Sequence, residues 1–126
     1  MNKNYFNTLF LGLPKGEKLP VTFAILTACN PMDRPLSKDE NKKRNLEMLQ
    51  ILSDRGKAFI RITGSSPDRA HQEPSFLVHC SRKEGLELGL TFEQRAIFWV
   101  HGDQLEIIEC STEKAHAAGS FRNRIR

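Results

Sequence analysis

The sequence predicts an α+β fold in which two helices pack on a mixed, mostly antiparallel sheet of four to six strands. Two capping boxes, SKDE at residues 37–40 and SRKE at residues 81–84, mark the helix starts. In each, the serine hydroxyl and the glutamate three residues later can exchange hydrogen bonds with free backbone amides. Short apolar segments with alternating polarity surround the helices and are typical of strands. A doubly wound parallel sheet would need more helices between its strands.

Each predicted element has its own signal in the sequence. Residues 21–28 are apolar on both faces, which predicts a central strand covered on both sides. Residues 95–100 and 105–110 flank a short polar turn, which predicts a hairpin. In chain order the predicted elements are an edge strand or helical turn over residues 5–13, a strand over 21–28, a helix over 37–54, strands over 57–63 and 75–80, a helix over 81–92, and the hairpin.

The first helix carries two asparagines where apolar side chains are expected. The residues predicted to form its buried stripe are Leu46, Met48, Leu49 and Leu52. At about 100° per residue, Asn41 and Asn45 fall within the same stripe. A buried amide without partners costs about 1–3 kcal/mol, so this half of the helix must meet polar groups, water or a ligand. The alternative is that Asn45 pins the loop at residues 30–33 through backbone hydrogen bonds.

Length and charge predict one domain over residues 1–111 and a basic tail over residues 112–126. The chain has 126 residues and a net charge of +4. The residues that make the tail basic are Lys114, Arg122, Arg124 and Arg126, against the one acid Glu113. We expect this tail to hold a helical turn or to be disordered. Because the basic residues belong to a tail and not to a groove, the sequence disfavours nucleic acid as a partner.

The cysteines and the lengths of the apolar segments predict where the protein is located. Three cysteines without a Cys-x-x-Cys pair argue against a disulfide framework and favour a reducing compartment, so we expect a cytoplasmic protein. The start of the chain lacks the long apolar core of a signal peptide, and no apolar run approaches the ~20 residues of a membrane span. No metal-ligand spacing and no cofactor motif is present, so neither a metal nor a cofactor is expected.

A second polar cluster lies at residues 71–75. On an extended chain His71, Glu73 and Ser75 share one face, and a histidine with a carboxylate suits acid–base catalysis. Glu73 and His71 are therefore the candidate catalytic residues. In the alternative interpretation, Glu73 pairs with Arg61 or Arg44, and His71 is exposed in a loop. The candidate ligand-binding residues are Thr27, Asn30, Asn45, Ser75 and Gln94.

Four motifs in order resemble one bacterial family, the domain of unknown function 3293. They are TACNP at residues 27–31, Asn45 with Leu49 and Leu52, H-x-E-x-SF at residues 71–76, and F-x-Q-x-A at residues 92–96. Together they cover about residues 20–100. The family carries no assigned activity, so the resemblance implies only which residues matter, namely Asn30, Asn45, Glu73, Ser75 and Gln94. The chain departs from the family pattern at Glu93, where a glycine is expected.

Two classes of function fit these residues. The first is a polar small-ligand site, nucleotide- or sugar-like and with a catalytic option in which Glu73 is the base; whether the protein is an enzyme stays open. The second is a non-enzymatic interaction module, in which a sheet edge or the apolar N-terminal segment binds a protein partner or pairs two copies as a homodimer. In that case the polar cluster only fixes the fold.

Overall fold

A seven-stranded sheet organises the chain in the computed structural model, which describes residues 3–126. Met1 and Asn2, where the predicted domain begins, lie outside the described residues. The strands are β1 (Leu9–Leu11), β2 (Thr22–Leu26), β3 (Phe59–Ser65), β4 (Gln72–Val78), β5 (Ala96–His101), β6 (Gln104–Glu109) and β7 (Ala115–Ser120). The helices are α1 (Lys38–Asp54) and α2 (Arg82–Thr91). A 3-10 helix, Lys3–Asn7, precedes β1.

The strands lie in the order β1-β3-β4-β2-β5-β6-β7, and neighbouring strands run antiparallel throughout. The sheet curls so far that its two ends meet, because Phe10 of β1 forms a parallel bridge with Ile125 near the C-terminus. The Arg126 amide also donates to the Phe10 carbonyl at 3.0 Å. The α+β class is confirmed, but the predicted count of four to six strands was too low, since β1 and β7 add one strand at each end.

The two faces of the curled sheet bury two separate apolar cores. On the outer face, α1 and α2 cover a core that includes Met48, Leu52, Phe76 and Trp99. The inner face encloses the other core; its fully buried aromatic residues include Phe10 and Phe23. Because alternate residues of a strand point to opposite faces, each central strand contributes to both cores.

Both capping boxes form as the sequence predicts. Ser37 accepts from the Glu40 amide and Ser81 from the Glu84 amide, and in each case the glutamate returns a bond to the serine backbone. The stripe of α1 differs from the prediction at Leu46, which is exposed, because the buried side is shared by Asn45, Met48 and Leu52. On α2, Gly89 is needed for close packing, since a Cβ there would lie 2.7 Å from Cys110 Sγ.

The residues predicted to form a basic tail are part of the sheet. Within residues 112–126 the chain forms β7, which pairs with β6, and then a short 3-10 helix, Arg122–Arg124. Phe121 is buried between Phe10 and Phe23, with ring centroids 5.5 and 5.2 Å away. This buried aromatic residue anchors the C-terminal segment, which forms a strand and then one helical turn.

In the part of the chain that the structure describes, no helix combines the length and apolar character required to cross a membrane.

Candidate functional site

A cleft of about 630 Å³ opens at the end of the curled sheet where β2 and β3 finish and β4 and β5 begin. Its base is the end of the inner apolar core, formed by Ile25, Phe10 and Phe98. One wall is the N-terminal 3-10 helix, and another is the hairpin that joins β3 to β4. Six of the seven residues predicted from the sequence line this cleft: Thr27, Asn30, His71, Glu73, Ser75 and Gln94.

Glu73 is the half-buried acid of the cleft. It lies in β4 opposite Gly64 of β3, and its carboxylate accepts a hydrogen bond from Asn30 Nδ2 at 3.0 Å. Among the described residues, Asn30 is the only donor to this carboxylate. Burial raises the pKa of Glu73, the Asn30 bond opposes that rise, and the nearby charge of Asp33 adds to it. Glu73 therefore has acceptor capacity left for a ligand.

Asn30 reaches Glu73 from the loop after β2. This loop holds three non-glycine residues with positive φ: Asn30 at 49°, Met32 at 51° and Asp33 at 61°. Such conformations are uncommon outside glycine and persist only where surrounding contacts fix them. Here the Met32 amide donates to the Glu93 carbonyl at 2.7 Å, which joins the loop to the end of α2.

Asn45 lies behind this loop and not among the residues that line the cleft. Its Oδ1 accepts from the Ala28 amide at 3.2 Å, and its Nδ2 donates to Cys29 Sγ at 3.1 Å. Asn45 thus has a structural role of the kind given by the alternative interpretation, but it bonds residues 28 and 29 and not the loop at residues 30–33. Gln94 borders the cleft and also bonds the chain after β2, because its Nε2 donates to the Cys29 carbonyl at 3.0 Å.

Thr27 and Ser75 present hydroxyls in the cleft, but each is also used by the backbone. Thr27 Oγ1 donates to the Pro74 carbonyl at 2.7 Å and accepts from the Cys29 amide at 3.0 Å. Ser75 Oγ donates to the Glu73 carbonyl at 3.1 Å. The Thr27 bond to Pro74 ties the end of β2 to β4 at the mouth, whereas the Ser75 bond stays within β4. The two residues therefore shape the cleft as well as line it.

His71 is exposed at the rim, immediately before β4, and its amide donates to Ser66 Oγ at 3.1 Å. The ion pairs considered for Glu73 do not form. Arg44 instead bonds the Ala28 carbonyl and pairs with Glu93 at 3.5 Å, and Arg61 lies over the Phe76 ring. Glu73 thus has no cationic neighbour among the described ion pairs, which leaves its charge available to the cleft.

Tyr5 and Asp33 also line the cleft, and the sequence did not single them out as site residues. The Tyr5 hydroxyl donates to Asp33 Oδ1 at 3.2 Å, and Arg95 pairs with the other oxygen of Asp33 at 2.8 Å. Burial, followed by the negative charge of Asp33, raises the pKa of Tyr5. The three residues are far apart in the chain, and no spacing or motif marks them as neighbours.

One of the three cysteines, Cys29, lines the cleft. All three are free thiols, and burial raises the pKa of Cys29, against weaker opposing bonds from Thr27 and Asn45. A thiol with a raised pKa is a poor nucleophile at neutral pH. Within residues 3–126 no group of three or more histidine, cysteine or acidic side chains is placed to hold a metal ion.

Fold and cleft define a class of protein: an α+β domain whose curled antiparallel sheet opens into a polar cleft with an apolar base. A family model described as protein of unknown function (DUF3293) matches residues 26–97, which is more than half of the chain. The chain therefore belongs to this family. The match runs from the last residue of β2 to the start of β5 and contains the six predicted residues that line the cleft. No curated protein and no solved structure matches the chain.

Proposed function

We propose that this domain binds a small polar ligand in the cleft and that the Glu73 carboxylate accepts hydrogen bonds from it. The observation that carries the proposal is a half-buried carboxylate at the mouth of a cleft of about 630 Å³, with Asn30 as its one donor among residues 3–126. That volume lies within the range of small-molecule sites, which typically combine an apolar body with a few directed polar groups.

The charge of the cleft narrows the ligand class. Its described lining residues include the acids Asp33, Asp68 and Glu73 and no lysine or arginine. Asp33 is paired with Arg95, which does not line the cleft, so Asp68 and Glu73 carry the remaining negative charge. A phosphate would meet like charge here, without the cations that bind phosphate groups elsewhere. The lining therefore favours the nucleoside or the sugar over the nucleotide, because both offer N–H or O–H donors without phosphate charge.

The apolar base supports a ligand with one flat or apolar face. Phe98 packs at its centre, with ring centroids 5.9 Å from Tyr5 and 5.1 Å from Phe10. Nucleobases and the apolar faces of sugar rings pack on such aromatic surfaces, while directed donors on their edges reach a carboxylate. Ser75 and Gln94 border the same space and add polar groups.

Acid–base catalysis is a second candidate function, favoured by one observation. Burial raises the pKa of Glu73, which brings the carboxyl group closer to the range in which a general acid or base works at neutral pH. Glu73 would then take a proton from the bound ligand or return one to it. His71, exposed at the rim, would exchange that proton with solvent.

The test is a thermal-shift screen with nucleosides, free sugars and nucleotides. At about 100 times Kd, a ligand stabilises the folded state by about 2.7 kcal/mol, which raises Tm by several degrees. We expect nucleosides or sugars to raise Tm and their phosphorylated forms to raise it less. The Glu73→Gln variant should lose most of this increase, because an amide replaces half of the acceptor capacity.

A matched control is Glu87→Gln, which changes an exposed glutamate on α2 outside the cleft and should keep the full increase in Tm. Equal increases in the two variants would refute a role for Glu73. If no compound raises Tm, the ligand site fails and the protein-interaction module becomes the better interpretation.

A further inference from the structure

The amide group of Asn30 has two ends, and the structure uses them differently. Its Nδ2 donates to Glu73, whereas its Oδ1 accepts from the Leu36 amide at 2.9 Å and from Asn41 Nδ2 at 2.8 Å. If the side chain rotated by half a turn, Oδ1 would face the carboxylate and repel it. Something must therefore hold the amide in the orientation that serves Glu73.

Asn41, in the first turn of α1, contacts Asn30 in two places. Asn41 Oδ1 accepts from the Asn30 backbone amide at 2.9 Å, and Asn41 Nδ2 donates to Asn30 Oδ1 at 2.8 Å. The first bond holds the backbone, which has the left-handed φ of 49°. The second, together with the bond from the Leu36 amide, fixes which end of the Asn30 side chain faces Glu73. A side chain with both a donor and an acceptor is needed to make this pair of bonds.

We infer that Asn41 is a positioning residue that acts through Asn30: it fixes the Asn30 amide so that Nδ2 is presented to Glu73. The inference rests on the proposed function, because it takes Glu73 as the group that binds the ligand. It gives the polar stripe of α1 two separate tasks. Asn41 orients the donor to Glu73, whereas Asn45, one turn later, bonds Ala28 and Cys29 and holds the chain after β2.

The test measures the pKa of the Glu73 carboxyl group by carbon-detected NMR titration in ligand-free protein. The Asn30 bond lowers this pKa, so Asn30→Ala should raise it. Asn41→Ala should raise it in the same direction. The Asn30→Ala/Asn41→Ala double variant should match Asn30→Ala alone, since Asn41 acts only through Asn30.

The control is Asn45→Ala, which removes a helix asparagine that does not contact Asn30. It should lower Tm, because the buried Ala28 amide loses its partner, and leave the pKa of Glu73 unchanged. If Asn41→Ala does not fold, Asn41→Ser provides the same measurement, because the shorter side chain cannot make both bonds.

An unchanged pKa in a folded Asn41 variant would overturn the inference, as would a double variant whose shift is the sum of the two single shifts. Neither result depends on a ligand. The positioning role and the proposed binding function can therefore fail separately: a ligand that binds with no pKa effect at Asn41 refutes only the positioning role.

Discussion

At the scale of single residues, the proposed function would use a charge at Glu73 that costs stability. Burial disfavours its charged form, and the single bond from Asn30 offsets only part of that cost. A carboxylate kept in such a place is typical of a binding or catalytic site. Asn45 shows the opposite case, since both ends of its buried amide have a protein partner, the Ala28 amide and Cys29 Sγ.

The cost of this charge predicts a pH-dependent stability difference between the wild type and Glu73→Gln. The folded pKa of Glu73 is raised above its unfolded value, so its favourable contribution is complete below the unfolded pKa, about 4.3. That contribution is lost as the pH rises through the folded pKa. As the pH rises from about 4 towards 7, we expect the free energy of unfolding of the wild type to fall relative to that of Glu73→Gln.

Urea denaturation at several pH values measures this difference. The glutamine keeps an oxygen that can accept from Asn30, so the comparison isolates the charge. A variant that loses stability relative to the wild type as the pH rises would mean that the charged carboxylate stabilises the fold, contrary to its place in a binding cleft.

At the scale of elements, the end of α2 carries a glutamate where the family resemblance predicts a glycine. Glu93 follows the C-cap Phe92 and has a φ of 55°. Its amide donates to the Leu90 carbonyl at 3.1 Å, and the next amide, from Gln94, donates to the Gly89 carbonyl at 2.8 Å. These two bonds define a Schellman motif, whose left-handed position usually holds glycine. The turn thus keeps its geometry despite the glutamate.

This turn predicts that Glu93→Gly stabilises the protein by up to about 1 kcal/mol, because glycine adopts a left-handed φ without steric cost. The lost ion pair with Arg44 is exposed and contributes little. Glu87→Gly, in the interior of the same helix, should have the opposite sign and cost about 1 kcal/mol. Chemical denaturation of both variants checks the pair, and a loss of stability in Glu93→Gly would refute the argument.

At the scale of the whole molecule, the sequence predicted the helices and the central strands well. The capping boxes place both helix starts, and the apolar alternation places β2, β5 and β6. Residues 5–13 were predicted as an edge strand or a helical turn, and β1 occupies Leu9–Leu11 within them, after a 3-10 helix. The last strand was not predicted. Residues 115–120, AHAAGS, lack the β-branched and aromatic side chains that mark strands. These residues join the sheet through tertiary contacts: β7 pairs with β6, and the residues after it meet β1 because the sheet curls.

The candidate site was predictable only where its residues lie close together in the sequence. Residues on one strand or next to it, such as Glu73 and Ser75, could be placed on one face from spacing alone. Periodicity placed Asn45 on the buried side of α1, but it could not say which backbone group lies opposite. Tyr5 and Asp33 meet only through tertiary folding, so their contact had no local signal.

Closure of the sheet predicts that Phe121 is a major source of stability. Its ring packs between Phe10 and Phe23 in the inner core, so Phe121→Ala should cost about 3–5 kcal/mol. Asn123→Ala, two residues further along at an exposed position, should change stability by less than about 0.5 kcal/mol. Denaturation curves for the two variants measure the contrast, and similar stabilities would mean that the C-terminal segment is dispensable.

The most direct test of the account is a titration of the ¹⁵N-labelled protein with nucleosides and free sugars, followed by amide chemical shifts. If the cleft binds these ligands, the shifted amides should cluster at residues 27–30, 64–66 and 73–75, around the mouth of the curled sheet. Shifts confined to the shallow depression beside Met32, Leu90 and Ser111, or spread evenly over the surface, would contradict a binding site at Glu73.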